Sequence, residues 1–86
     1  MPRRLQVREM TEKERETIQE TARSRTAAVR AVERARIIRA SSEGQSVAEI
    51  ASGLQLKAAK VRKWIHRFNE RGLAGLMDKP IRFLTK

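Results

Sequence analysis

Apolar side chains recur at helical spacing through the middle and late parts of this chain and thin out toward its start. The clearest run is Val61, Trp64, Ile65 and Phe68, an i, i+3, i+4, i+7 stripe that predicts one buried face on a helix of 3.6 residues per turn. This helix is expected from about Ala58 to Glu70, with Arg71-Gly72 as its stop. Upstream, Ala28, Ala31, Val32, Ala35 and Ile38 form a second stripe, on a helix capped by Thr26 and running to about Ala40. Ile37 lies off that stripe, so either the helix is buried on two sides or Ile37 meets another element. Ser41-Ser42-Glu43-Gly44 then supplies a turn.

Two further helices are marked by their starts. Thr11 with Glu14, and Ser46 with Glu49, have the spacing of capping boxes, in which each side chain satisfies the other residue's backbone amide. The first opens a helix over about Glu12 to Arg23 whose apolar content is thin, essentially Ile18 and Ala22 with Met10 ahead. It is expected to pack weakly or to need a partner. The second opens a short helix through about Ser52, followed by the tight connection Gly53-Leu54-Gln55-Leu56. Residues 1–10 read as a loose arm, and Leu73 to Lys86 as short turns and tail. Three segments result: an arm and weak helix over 1–25, a helical domain over 26–80, and a tail over 81–86. The predicted fold is all-α, a small bundle of about four helices.

Val47 to Phe68 fits a helix-turn-helix. Two helices joined by a short turn cross steeply only where a small residue sits at their approach and apolar residues fill the wedge. Ala51 meets the first demand; Ile50, Leu54, Leu56, Val61 and Trp64 meet the second. Gln55 departs from the pattern, standing at a turn position that often holds Gly because the backbone goes left-handed there.

Charge gives the pattern a function. The 86 residues carry 20 Lys and Arg against 10 Asp and Glu, for a net +10. Residues 1–56 hold 11 basic and 8 acidic side chains, whereas 57–86 hold 9 and 2, so the surplus lies in the last third. Opposite the Val61–Phe68 stripe stand Ala59, Lys63 and His66, flanked by Lys60, Arg62 and Arg67 and led by Lys57 and Ala58. Small residues at the leading end let a helix approach a major groove about 12 Å wide, where Lys and Arg donate to guanine or to phosphates. The competing reading is an ordinary solvated face. Gln45 and Ser46 could hold a backbone phosphate at the start of the preceding helix, or Ser46 could simply cap it. Trp64 reads as a core residue rather than a base-stacking platform, and His66, the single histidine, cannot assemble a metal site alone.

The segments Arg25-Thr26-Ala27-Ala28, Glu33 to Ile38, Ser46 to Ala51, Val61 to Phe68 and Glu70 to Pro80 resemble the N-terminal DNA-binding domain of bacterial insertion-sequence transposases related to the mariner group. The resemblance runs from Thr26 through Pro80. It implies a domain like half of a paired domain, which recognises the transposon's terminal inverted repeats. Three features depart from that family. Lys57-Ala58-Ala59-Lys60 stands where relatives place a Ser or Thr cap. Arg39 stands at a usually apolar position, where it would loosen the core or add a phosphate contact. After Pro80 the sequence reads Ile81-Arg82-Phe83-Leu84-Thr85-Lys86, where relatives continue with a basic linker, a second DNA-binding unit and a catalytic domain.

Catalysis is not expected. Strand transfer needs clustered carboxylates for divalent metals, and Asp78 is the sole aspartate. No metal, cofactor, disulfide, signal peptide or membrane span is expected, and a cytoplasmic, nucleoid-associated setting follows. The expected partner is double-stranded DNA. RNA fits poorly, because A-form grooves exclude a helix and single-strand readers need exposed aromatics. An alternative is a protein-interaction subunit that docks through the helix at 12–23 and the tail residues Ile81, Phe83 and Leu84. Those apolar groups would meet a second copy or a larger complex; otherwise the helix frays and the tail is disordered.

Overall fold

The helices of this chain start in two ways, some where a side chain accepts a backbone amide and others with no such cap. The computed structural model describes residues 5–76. They form α1 (Glu12–Arg23), α2 (Val29–Ser42), α3 (Val47–Leu54) and α4 (Ala58–Arg71), followed by a short 3-10 helix (Gly72–Leu76). No strand occurs among the described residues, and none of their helices is long and apolar enough to cross a membrane. This is the small all-α bundle the periodicity predicts. Met77 to Pro80 of the family-like motif, with Asp78, and the tail 81–86 lie outside the described residues.

Both capping boxes are formed. Thr11 Oγ1 accepts from the Glu14 amide at 3.1 Å while Glu14 Oε1 accepts from the Thr11 amide at 3.0 Å. Ser46 and Glu49 repeat the exchange at 3.1 and 2.8 Å. The cap expected from Thr26 is absent: α2 starts at Val29 behind Ala28, with no side-chain cap. Ser24 explains the shift. Its Oγ accepts from the amides of both Thr26 and Ala27, at 3.1 and 2.9 Å, which holds these residues in a turn and delays the helix.

α2 is the central helix and is buried on two sides, which resolves the place of Ile37. Ile37 and Ile38 are both fully buried, with Ala35 between α2 and its neighbours. α1 covers one side of α2, and α3 and α4 cover the other. The expectation of a weakly packed first helix is corrected here. Ile18 and Ala22 are each only 2% exposed, because two residues suffice when α2 offers a matching apolar face. They therefore leave no apolar stripe on α1 for a partner.

The arm is not loose over the residues described. Leu5 and Val7 alternate with Gln6 and Arg8 and pack against the core, and Met10 is buried. The Val7 amide donates to the buried Ser41 Oγ at 2.8 Å. Asn69 of α4 grips the arm from both directions: its Oδ1 accepts from the Arg8 amide at 2.7 Å and its Nδ2 donates to the Gln6 carbonyl at 3.1 Å. The Arg8 guanidinium makes a two-pronged pair with Glu14 at 2.9 and 3.0 Å and lies over the Phe68 ring, 4.7 Å from its centre. These bonds hold the Glu14 carboxyl down to about 2, first through Arg8 and then through the Thr11 amide. The Arg8 guanidinium is correspondingly pushed up by Glu14.

Two glycines close the far end. Gly72 ends α4 at φ +66°, and a Cβ there would lie 3.0 Å from both members of the Arg8–Glu14 pair. A Cβ on Gly75 would overlap the Arg67 carbonyl, so the 3-10 helix folds back on α4 only because residue 75 has no side chain.

Candidate nucleic-acid interface

The pair α3–α4 is built as the sequence predicts, with one change of boundary. α3 runs on through Gly53 to Leu54 rather than ending near Ser52, and the turn proper is Gln55-Leu56-Lys57. Gln55 takes the left-handed conformation, φ 60° and ψ 48°, at the position where the sequence lacks a glycine. The reversal is fixed by the Leu56 amide donating to the Ala51 carbonyl at 2.8 Å. Ile50, Val61 and Trp64 are buried in the wedge, Ala51 is 9% exposed at the approach, and Leu54 and Leu56 pack partly buried against them.

α4 divides cleanly into two faces. Val61, Ile65 and Phe68 are fully buried and Trp64 is 4% exposed, so the indole is a core group and not a stacking platform. Ala59, Lys60, Arg62, Lys63 and His66 are exposed, with Arg67 half-buried beside them. Lys57 precedes the helix as its N-cap residue without a side-chain cap, as its sequence suggests. Ala58 is partly buried and packs on the core, so of the two small leading residues only Ala59 is open.

The cations of this face are not equivalent. Lys60 Nζ is 3.0 Å from Glu33 Oε1 of α2, an ion pair that a phosphate must compete with. Lys63 and Arg67 both lie over the Trp64 ring, 4.9 and 5.3 Å from its centre, which restrains two long side chains at the edge of the exposed face. Arg62 and His66 lie beside them on the solvent side.

Gln45 and Ser46 sit at the opposite end of α3 from the turn. Ser46 performs the capping role, and the Glu49 carboxylate already takes its amide. A second anion at this helix start therefore meets a negative charge in place. Gln45 is exposed and lines a groove against α1 and α2 instead.

Two residues beside this face stand outside the site residues expected from the sequence. Arg34 of α2 is only 8% exposed; it stacks on Trp64, 4.0 Å from the ring centre, and donates to the Leu76 carbonyl at 3.0 Å. By its spacing Arg34 lies largely off the apolar stripe of α2, which gives no warning of such a stacking partner. Glu70 is exposed four residues beyond His66 and seven beyond Lys63, on the same stripe, so negative charge closes the cationic ridge at its C-terminal end. That spacing was available in the sequence. Arg39 neither loosens the core nor enters it; it is partly exposed and lies 3.5 Å from Glu43. No group of three or more His, Cys, Asp or Glu that could hold a metal occurs among the described residues.

Residues 34–82, more than half of the chain, match the winged helix-turn-helix family, and the protein belongs to it: it contains a helix-turn-helix DNA-binding domain. No curated protein and no solved structure matches the chain.

Proposed function

Taking a winged helix-turn-helix domain as the premise, we propose that the protein binds duplex DNA with sequence preference, α4 lying in the major groove. The observation that carries this reading is the division of α4: Trp64 is 4% exposed on one side while Lys63 and His66 stand open on the other. Arg62, Lys63 and His66 would reach base edges, with Ala59 allowing close approach of the leading turn. Lys57 and Arg67, at the margins, would meet phosphates, and Lys60 would do so after leaving Glu33. Gln45 and Ser46 would contribute at most a peripheral phosphate contact.

Binding is the whole activity proposed for this polypeptide, with no catalysis, metal or cofactor. It would act as a stand-alone transcriptional regulator or as a transposase-derived DNA-binding protein. The likeness of its segments to mariner-related transposases favours terminal inverted repeats as the kind of target. RNA is a poor alternative, because the buried Trp64 offers no stacking surface and an A-form major groove excludes α4. A single module of this kind buries roughly 600–1,000 Å² of protein surface on DNA, so a second copy would help it hold a defined site.

Selection of bound sequences from a random duplex pool tests the proposal. A defined motif of a few base pairs is expected, two-fold symmetric if the protein dimerises. The Lys63→Gln/Arg67→Gln variant should bind the selected duplex at least about tenfold more weakly. Recovery of no motif, or undiminished binding by that variant, would overturn it.

A further inference from the structure

A groove runs along α2 on a side that no α4 residue lines. It has cavity volumes of about 640 and 340 Å³ in two lobes that share Arg36 and Leu54, and it passes between α3 and the C-terminal end of α1. From Glu43 to Val29 its length is roughly 21 Å at the rise of an α-helix. α4 meets its edge at Lys60, which pairs with Glu33 of the rim.

The lining has two chemistries. Its floor is aliphatic, with Ile50, Leu54 and Ala40, and Val29 at the far end is 83% exposed. Its rim carries Arg23, Arg36 and Arg39. Glu33 faces Lys60 and Glu43 faces Arg39, so the positive charge left to the rim is that of Arg23 and of Arg36, whose Nε also donates to the Ala22 carbonyl at 3.3 Å.

Gly53 is the second observation. It stands in α3 on the wall of the groove, and a Cβ there would meet nothing within 4 Å. Neither a positive φ nor a close approach requires glycine at this helical position, where it is unfavourable relative to alanine. Its effect is to widen the groove.

We propose that this groove docks a protein segment bearing carboxylates beside apolar side chains, on a surface that meets the proposed DNA contacts only at Gln45 and Lys60. Nucleic acid would satisfy the arginines but brings no aliphatic group for the floor. An acidic amphipathic helix of about four turns supplies both, and its length matches the groove. The groove thus gives a DNA-bound copy of this protein a handle for a second protein. The inference does not depend on which sequence α4 reads.

The test uses the full chain, nuclear magnetic resonance and two synthetic peptides about four helical turns long, one with a Leu stripe on a Glu background and one with Ser replacing Leu. The Leu–Glu peptide should shift the signals of Ile50, Gly53, Leu54 and Val32. Binding should weaken at least about tenfold in Gly53→Phe, which fills the groove, and in Arg23→Gln/Arg36→Gln, which strips its rim. Gly53→Phe should keep its melting transition and its affinity for duplex DNA, and the peptide should bind the DNA complex as well as the free protein. Equal binding of the Ser peptide would reduce the effect to charge alone and overturn the proposal. So would undiminished binding by both variants, or displacement of the peptide by duplex with the Gly53 signal shifting, which would make the groove a nucleic-acid surface.

Discussion

Where the arm meets α1, Arg8 and Glu14 spend their charges on each other, whereas α4 leaves most of its own facing outward. Arg8 is engaged by Glu14, by the Glu9 carbonyl and by the Phe68 ring, and Asn69 is engaged by two backbone groups of the arm. On α4, Arg62, Lys63 and His66 stand exposed above a buried apolar face. A polar group used internally fixes geometry; one left outside remains available to a partner. The same residue types thus do structural work in one region and stand open to a partner in the other, and hydrogen-bond geometry separates the two.

Phe68 joins both regions, so its loss should break the comparison altogether. It is fully buried beneath Arg8, and Phe68→Ala should cost about 3–5 kcal/mol of stability, most of the reserve of a domain this size. Urea melts would show it, and duplex binding should disappear with the fold. Gly75→Ala tests the same end of α4 by overpacking against the Arg67 carbonyl, for about 1–3 kcal/mol.

Asn69→Ala should separate the regions instead of destroying both. It leaves the arm without its two-way grip, a loss of about 1–2 kcal/mol, while the exposed face of α4 is untouched. Melts should move and duplex affinity should not. A variant whose DNA affinity fell in step with a small loss of stability would show that arm and interface are coupled.

Acid should act on the arm through Glu14. Glu14 is held at about 2 in the folded protein, below its ordinary 4.5, so its ion pair stabilises fully above that ordinary value. The contribution is lost as pH falls from about 4.5 toward about 2. Melting temperature followed across that window should fall less steeply in Glu14→Gln than in the parent, and an identical slope would contradict the assignment. Smaller still is the effect of releasing Lys60. Glu33→Gln removes the ion pair at 3.0 Å and should raise duplex affinity about two- to threefold, with the gain absent in Glu33→Gln/Lys60→Gln.

The contrast also explains what the sequence disclosed. The four helices, the wedge of the helix-turn-helix and the two faces of α4 follow from spacing, because apolar burial repeats with the helix period. Gln55 could be placed in its turn for the same reason. The arm escaped because Ser41, Asn69 and Arg8 act over separations of 34 and 61 residues and more, where no local period exists. The start of α2 was misplaced because Ser24 competes for amides that a cap at Thr26 would have left to the helix. Ile18 and Ala22 looked thin only because burial depends on the facing surface as well as on the count of apolar residues.

The most direct test of the account is the salt dependence of duplex affinity for the parent chain and for Lys63→Gln/Arg67→Gln. If about five basic residues near α4 neutralise phosphates, log affinity should fall against log salt with a slope of about −4 to −5. The double variant should lower affinity throughout and flatten the slope by about one unit, for the charge of Arg67 removed at a phosphate, while the loss of Lys63 lowers affinity at the base edges. Superimposable lines for the two proteins would place the DNA elsewhere and contradict the assignment of α4 as the reading helix.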